Sequence, residues 1–274
     1  MPFINWILKH IGILYFAKQD DVVNMPSGKE IKDLPEYKEY LKKKAEGQVT
    51  KPLHGKKESA IPITAAPEGR IKKILYNVVQ IFHRLFFTVF YKVEVEGLEN
   101  IPLDGSLILA ANHASFLDPM LLSQLVPRRC RALAGAWLFK IKLIAWALKA
   151  TDSIPAEGSV KEAIAALGRG DAILIFPEGK CRCKAEKFAA KPHKGVALFA
   201  LKTGAPVVPI YVKGTFEAWP NGKIFPRFFK KLKVHIGKPF KLNQYKEEVI
   251  PAPILEKALQ DIMTAIKELA KDIL

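Results

Sequence analysis

The sequence predicts an α/β fold, a mostly parallel sheet flanked by helices, with N-terminal membrane-associating helices ahead of it. Three observations carry this. From residue 91 onward, strand-length apolar runs alternate with helix-period segments, the pattern of parallel strands joined by helical crossovers. Two of the runs, Ser106 to Ala111 and Ala172 to Phe176, read as buried strands, the second apolar without a break, as strands covered on both faces are. And Ile71 to Phe90 has a helical pattern with an apolar arc too wide for an ordinary surface helix.

Phe3 to Phe16 opens the chain as a short, aromatic, mostly apolar helix, read either as packing on the protein's own core or as an interfacial anchor. Lys9 and His10 interrupt it, and it lacks a basic leader and a small-residue cleavage site, so it is not expected to be a signal peptide. No run reaches the ~18 uninterrupted apolar residues of a spanning helix. The stretch from Ala17 to Arg70 is polar, charged and broken by Pro and Gly; one helix is expected over Asp33 to Glu46, and the rest reads as linker. In Ile71 to Phe90, residues Lys72, Lys73, Asn77, Gln80, His83 and Arg84 form a narrow polar stripe, and nearly everything else is apolar, including Phe82, Phe86, Phe87 and Phe90. A wide apolar face beside a cationic stripe suits a helix lying in a membrane surface. Its expected membrane contacts are Lys72, Lys73, Phe82, Phe86 and Phe87. The competing reading is a helix buried between layers of the fold.

Tyr91 to Glu96 then alternates as a strand, Gly97 to Gly105 turns, and Ser106 to Ala111 is the first buried strand. Cys130 to Gly135 is a further strand, followed by an apolar helix over Trp137 to Ala150 and a short strand over Asp152 to Ala156. Ser159-Val160-Lys161-Glu162 has the form of a capping box opening a helix that stops at Gly168 to Gly170. After the strand Ala172 to Phe176 come a helix over Gly195 to Thr203, ended by Gly204, and strands over Pro206 to Lys213 and Lys231 to Ile236. From Ile254, an amphipathic helix places Leu255, Leu259, Ile262, Ile266 and Leu269 on one face. The expected organisation is an apolar helix plus polar linker over 1–70, a membrane-associating amphipathic helix over 71–92, and a catalytic domain over 93–274.

The formal net charge of +16 favours an anionic partner: nucleic acid, an anionic membrane or a phosphorylated substrate. Hydrophobic residues make up 49 % of the chain, and Lys and Arg sit between long apolar runs, which favours a membrane surface over nucleic acid. The three cysteines, Cys130, Cys181 and Cys183, are too few for a disulfide framework and suit a reducing compartment. Cys181 and Cys183 with His193 make three potential metal ligands without a fourth, so no metal is expected.

The chemistry centres on His113 and Asp118, directly after the strand ending at Ala111. A histidine can take a proton from a hydroxyl near neutral pH, and a carboxylate can fix its tautomer and stabilise the imidazolium. This is half of a serine-hydrolase triad without the serine, which points to a hydroxyl carried by the substrate. Five positions of α-helix turn through about 500°, so the two side chains meet only across a turn. Asp118-Pro119 offers one, with Asp118 as N-cap and Pro119 as the first helical residue. The plainer alternative is that Asp118 only caps a helix and His113 is a satisfied strand-end histidine. Phe176-Pro177-Glu178-Gly179 follows a second buried strand, and ligands of open α/β sheets collect at the carboxyl ends of strands. His113, Asp118, Glu178 and Gly179 are therefore expected to converge. The loop continues with Lys180, Arg182, Lys184, Lys187, Lys191, His193 and Lys194, a basic run suited to a phosphate or to lipid head groups.

Asn112-His113 with Asp118, then Phe176-Pro177-Glu178-Gly179, then Val207-Val208-Pro209-Ile210 resemble the successive motifs of the glycerolipid acyltransferases, and more narrowly of the bacterial 1-acylglycerol-3-phosphate acyltransferases. The resemblance covers about Tyr91 to Phe240. It implies acyl transfer from acyl-CoA or an acyl carrier protein thioester to the hydroxyl of 1-acylglycerol-3-phosphate, giving phosphatidic acid. His113 would be the general base and Asp118 its orienting partner; Glu178 and Gly179 would bind the acceptor. Where the family carries an arginine after an Ile-Pro-like strand, Ser153 to Ser159 has none, and where it continues Thr-Arg-Ser, this chain has Lys180-Cys181-Arg182. Lys180 or Arg182 would then hold the phosphate. No cofactor is implied beyond the thioester co-substrate. The implied partners are a membrane lipid acceptor and an anionic membrane surface, not nucleic acid. The implied location is the cytoplasmic face of the cell membrane, peripheral or monotopic. Two other readings are an acyltransferase for another lysolipid and a catalytically silent basic peripheral membrane protein.

Overall fold

The computed structural model describes residues 70–181, 191–242 and 250–271, with residue 42 and the backbone of 23 and 24. The expected helices at Phe3–Phe16 and Asp33–Glu46 lie outside the described residues, apart from a helical Lys42, as does Arg182. In chain order the elements are β1 (Val23–Asn24), α1 (Arg70–Phe90), β2 (Lys92–Glu96), β3 (Leu107–Ala111), α2 (Leu117–Leu125), β4 (Cys130–Ala134), α3 (Lys142–Ala150), β5 (Ile154–Pro155), α4 (Val160–Gly168), β6 (Ala172–Ile175), α5 (Gly195–Thr203), β7 (Val207–Lys213), α6 (Thr215–Ala218), β8 (Lys231–Ile236), β9 (Phe240–Lys241) and α7 (Ala252–Lys271). They build an α/β fold on one sheet of order β1-β9-β7-β3-β6-β4-β5, with β8 pairing both β7 and β2. Pairing is parallel throughout the centre; β7 alone runs antiparallel to its neighbours β8 and β9.

The unbroken apolar strands have the two-sided burial their composition implies. In β3, Ile108 and Ala110 join a core built with α4, α5 and α7, while Leu107, Leu109 and Ala111 face the opposite core with Leu117 and Leu121 of α2. Leu255, Leu259, Ile262 and Ile266 of α7 are buried as their spacing predicts. Gly204 ends α5 in the left-handed conformation, at φ 68°. Two local expectations are corrected. The segment from Trp137 to Ala150 is not one helix: a 3₁₀ turn over Ala136–Lys140 is followed by extended Ile141, and only then by α3. Ser159 stands before α4 but makes no side-chain capping bond.

Helix α1 is inside out for a helix exposed only to water. It packs on α2 and α3 with Tyr76, Val79 and Phe87 buried. Part of its polar stripe meets the rest of the fold: Gln80 and His83 are half-buried, while Lys72 and Arg84 make contacts from the surface. His83 Nδ1 lies 3.1 Å from Ser123 Oγ, Arg84 Nη2 donates to the Gln124 carbonyl, and Lys72 pairs with Asp152 at 3.3 Å. The outward face carries Ile71, Ile74, Val78, Ile81, Phe82, Leu85 and Val89, all exposed, beside exposed Lys73. Phe87 is corrected from membrane contact to core residue: it is 1 % exposed and its ring packs against Phe86 and Tyr91. Phe86 is half-buried, stacked on Phe82 and tilted against Phe90. On an apolar-all-round helix, periodicity does not say which phenylalanine meets the core.

Candidate active site

Strands β3 and β6 are parallel neighbours, so the loops after Ala111 and Ile175 leave the sheet side by side. That register brings the two motifs together: the backbone N–H of His113 donates to Glu178 Oε1 at 3.0 Å. Glu178 is buried, so its carboxylate anchors the histidine's loop, while Lys180 is exposed at the rim. Gly179 sits at φ +69°, where a Cβ would come within 2.4 Å of His193 Cδ2. The turn therefore needs glycine both for its conformation and for its contact.

Asp118 does not cap α2 from outside, as its place before proline suggests. Phe116 is the N-cap, and Asp118 lies within the first turn. Its carboxylate reaches back over the loop: Oδ2 accepts the N–H groups of Ala114 at 2.6 Å and Ser115 at 2.7 Å, and faces His113 Nδ1 at 3.0 Å. The five-residue separation is thus bridged by a tight turn rather than a helix. Ser115 secures that turn, with its hydroxyl donating to the Trp219 carbonyl and accepting the N–H of Leu117. Because a carboxylate only accepts, Nδ1 carries the hydrogen toward Asp118 and Nε2 holds the basic lone pair. Asp118 is fully buried; the His113 side chain is 13 % exposed, and its ring stacks on Phe176 with centroids 4.3 Å apart.

Several contributors are not evident from sequence spacing. Asn112 continues β3 by bonding both its amide atoms to the backbone of Val212 in β7. Phe176 is the floor under the imidazole. Cys181, set aside above as one ligand of an incomplete metal site, places Sγ 3.2 Å from His113 Nε2. At the rim, Phe116 lies between Trp137 and Trp219, 6.4 Å from each ring. The adjoining loop exposes Ile224, Phe225 and Phe229.

Residues 92–213, from β2 through β7, match the model of the family described as Acyltransferase. The chain is 30 % identical to a 1-acyl-sn-glycerol-3-phosphate acyltransferase of Bacillus subtilis over 156 residues, 54 % of this chain and 73 % of that protein. It is also 30 % identical to a chloroplastic 1-acyl-sn-glycerol-3-phosphate acyltransferase of Arabidopsis thaliana over 160 residues, 55 % of this chain and 44 % of that protein. The chain spans a little under half the length of such plant and mycobacterial relatives. Among solved structures, the 1-acyl-sn-glycerophosphate acyltransferase PlsC of Thermotoga maritima superposes with a TM-score of 0.58 at 27 % identity, covering 72 % of this chain and 81 % of that one. The fold, the paired strand-end motifs and these relatives place the chain in one class: it belongs to the glycerolipid acyltransferase family.

Proposed function

We propose that this protein transfers a fatty acyl group from a thioester of coenzyme A or acyl carrier protein to the free hydroxyl of 1-acylglycerol-3-phosphate, forming phosphatidic acid. The observation that carries the reading is the pair of partly exposed His113 with fully buried Asp118 at the carboxyl edge of the sheet, with Nδ1 committed to Asp118. A thioester is already activated, so the chemistry asks for proton transfer from a hydroxyl and stabilisation of the tetrahedral oxyanion, and neither step calls for a metal or a redox cofactor. The names of the Bacillus and Arabidopsis relatives support the acceptor. Exposed Lys180 is the residue we assign to the acceptor's phosphate; Arg182 shares that role on the motif resemblance alone.

Both lipid substrate and product reside in a bilayer, which the protein meets with the apolar face of α1. Among the described residues no helix is long and apolar enough to cross a membrane. The arrangement therefore supports an in-plane contact, with Lys73 and the net positive charge drawn to anionic head groups at about 1 kcal/mol per basic residue near the surface. Water-soluble thioester donors are met on the cytoplasmic face, where we place the enzyme.

The test is purified protein in phosphatidylglycerol-containing vesicles, supplied with palmitoyl-CoA or palmitoyl-acyl carrier protein and a panel of lysolipids. His113→Ala should lower turnover by about 10²–10⁴-fold, the scale of a general base, while leaving vesicle flotation unchanged. Undiminished turnover in that variant refutes the mechanism. Wild-type protein that floats but acylates no lysolipid favours the silent peripheral protein instead.

A further inference from the structure

We propose that the loop from Lys223 to Lys230 is a second membrane anchor, which holds the mouth of the catalytic site against an anionic leaflet. Ile224, Phe225 and Phe229 enter the acyl layer, and Lys223, Arg227 and Lys230 meet the phosphates. The inference adds a contact to the face of α1 and rests on the acyl-transfer reading above for its purpose. The loop joins α6 to β8 and reads Lys223-Ile224-Phe225-Pro226-Arg227-Phe228-Phe229-Lys230. Ile224, Phe225 and Phe229 are 82 %, 80 % and 80 % exposed. Single apolar side chains on a surface are ordinary, but three of them within six residues form a patch that calls for a partner.

The loop is held in this form by the fold. The Arg227 N–H donates to the Ala218 carbonyl at 2.6 Å, and the Phe229 N–H to the Phe90 carbonyl at 2.7 Å. The Trp219 indole N–H donates to the Lys223 carbonyl at 2.7 Å. Phe229 stands at φ +60°, in the left-handed region that a bulky residue rarely adopts, and its side chain is exposed all the same. A strained backbone that buries so little within the fold marks a residue whose contact lies outside it.

Two connections identify that contact. Ring centroids run in steps of 6.4, 5.4, 4.7 and 6.5 Å from Phe82 through Phe86, Phe90 and Phe228 to Phe229. This aromatic ridge joins the outward face of α1 to the loop, so one apolar surface includes both. Charge selects a lipid surface: Lys223, Arg227 and Lys230 are exposed among the aromatics, and no acidic residue lies between Glu217 and Glu247. A second copy meeting the loop face to face would bring the same cations together. Rings in the acyl region with cations at the phosphates are the composition of an interfacial anchor. At the loop's other end, the Trp219 carbonyl accepts the Ser115 hydroxyl at 2.8 Å, and the Trp219 ring lies 6.4 Å from that of Phe116. Ser115 and Phe116 belong to the turn that presents His113, so a loop seated in the leaflet fixes the catalytic turn beside it. The acceptor's hydroxyl then reaches Nε2 from the bilayer without crossing water.

The experiment uses the full chain with vesicles of phosphatidylcholine, alone and with phosphatidylglycerol. Phe225→Trp should be quenched by lipids brominated on their acyl chains, beyond the wild-type tryptophan background. Phe225→Ser with Phe229→Gly should float about tenfold less on phosphatidylglycerol vesicles. Its urea midpoint should be no lower than that of wild type, since glycine accepts the left-handed backbone. Lys223→Gln with Arg227→Gln should lose about tenfold on phosphatidylglycerol vesicles and change little on phosphatidylcholine alone. In the Phe225→Ser, Phe229→Gly variant, turnover of vesicle-borne lysophosphatidate should fall with binding, while turnover of a water-soluble short-chain lysophosphatidate stays within about twofold. Flotation of that variant within about threefold of wild type, or Phe225→Trp that acyl-chain bromine does not quench, overturns the proposal. So does a wild-type dimer that the variant dissociates, which assigns the patch to a second copy. Flotation and quenching do not require turnover. Protein that inserts this loop yet acylates no lysolipid supports the anchor and overturns the acyl-transfer reading; His113-dependent turnover without insertion does the reverse.

Discussion

Replacing Asn112 with alanine should loosen the site from beneath. Asn112 is fully buried, donates from Nδ2 to the Val212 carbonyl at 2.9 Å and accepts the Val212 N–H on Oδ1 at 2.6 Å. β3 ends at Ala111, opposite Ile210 of β7, so the side chain of Asn112 replaces the next rung of the ladder. Alanine leaves a buried donor and a buried acceptor without these partners, at about 1–3 kcal/mol each. The expected loss is about 2–6 kcal/mol. Urea unfolding followed by tryptophan fluorescence measures it; at an m-value of about 3 kcal/mol/M, a 4 kcal/mol loss moves the midpoint by more than 1 M. Asn112→Asp keeps the acceptor, loses the donor and sets a carboxylate against the Val212 carbonyl, so it should be at least as destabilising. His113 is the next residue, and kcat should fall further than KM changes, because a shift near 1 Å in a catalytic group costs about 10²-fold. A stability loss below about 1 kcal/mol with kcat within twofold of wild type would refute the reasoning that this clamp positions the base.

Ile81→Asp with Leu85→Asp places charges on the outward face of α1, where the two residues are 59 % and 45 % exposed. Folding in water should change by no more than about 0.5 kcal/mol per site, while flotation on anionic vesicles should drop at least tenfold, from roughly 1.5–3 kcal/mol of lost apolar burial per residue. Wild-type flotation would exclude that face as the membrane contact. Phe87→Ala should do the reverse, costing about 3–5 kcal/mol of stability with the apolar face intact. Burial pushes His83 from 6.5 down to about 4, so the native state resists a proton that the unfolded chain accepts. Its contribution is full above pH 6.5 and is lost as pH falls toward 4, by up to about 3 kcal/mol at 1.36 kcal/mol per pH unit. His83→Gln should flatten that part of the urea-midpoint profile; an unchanged acid limb would count against the assignment.

The sheet is legible in the chain because strands buried on both faces leave unbroken apolar runs, as in Leu107 to Ala111 and Ala172 to Ile175. Where local rules compete, the reading fails. Asp118 before proline has the look of a cap, yet in the first turn its carboxylate gains two backbone N–H groups and an imidazole. Trp137 to Ala150 is apolar enough for one helix, yet Ile141 is extended and splits it. An aromatic helix such as α1 carries too many apolar residues for periodicity to distinguish core from surface.

By itself, the sequence determined the alternation of strands and helices, and it named His113, Asp118 and the loop after Ala172 to Phe176 as the candidates, because strand runs and ordered motifs are written in local pattern. Only the tertiary structure decided which face of α1 is left outside, that Asn112 extends the sheet, and that a cysteine 68 positions from His113 lies over its imidazole ring. The first follows from the packing of α1 on α2 and α3, the others from the parallel register of β3 with β6 and β7, and no local window of residues contains either.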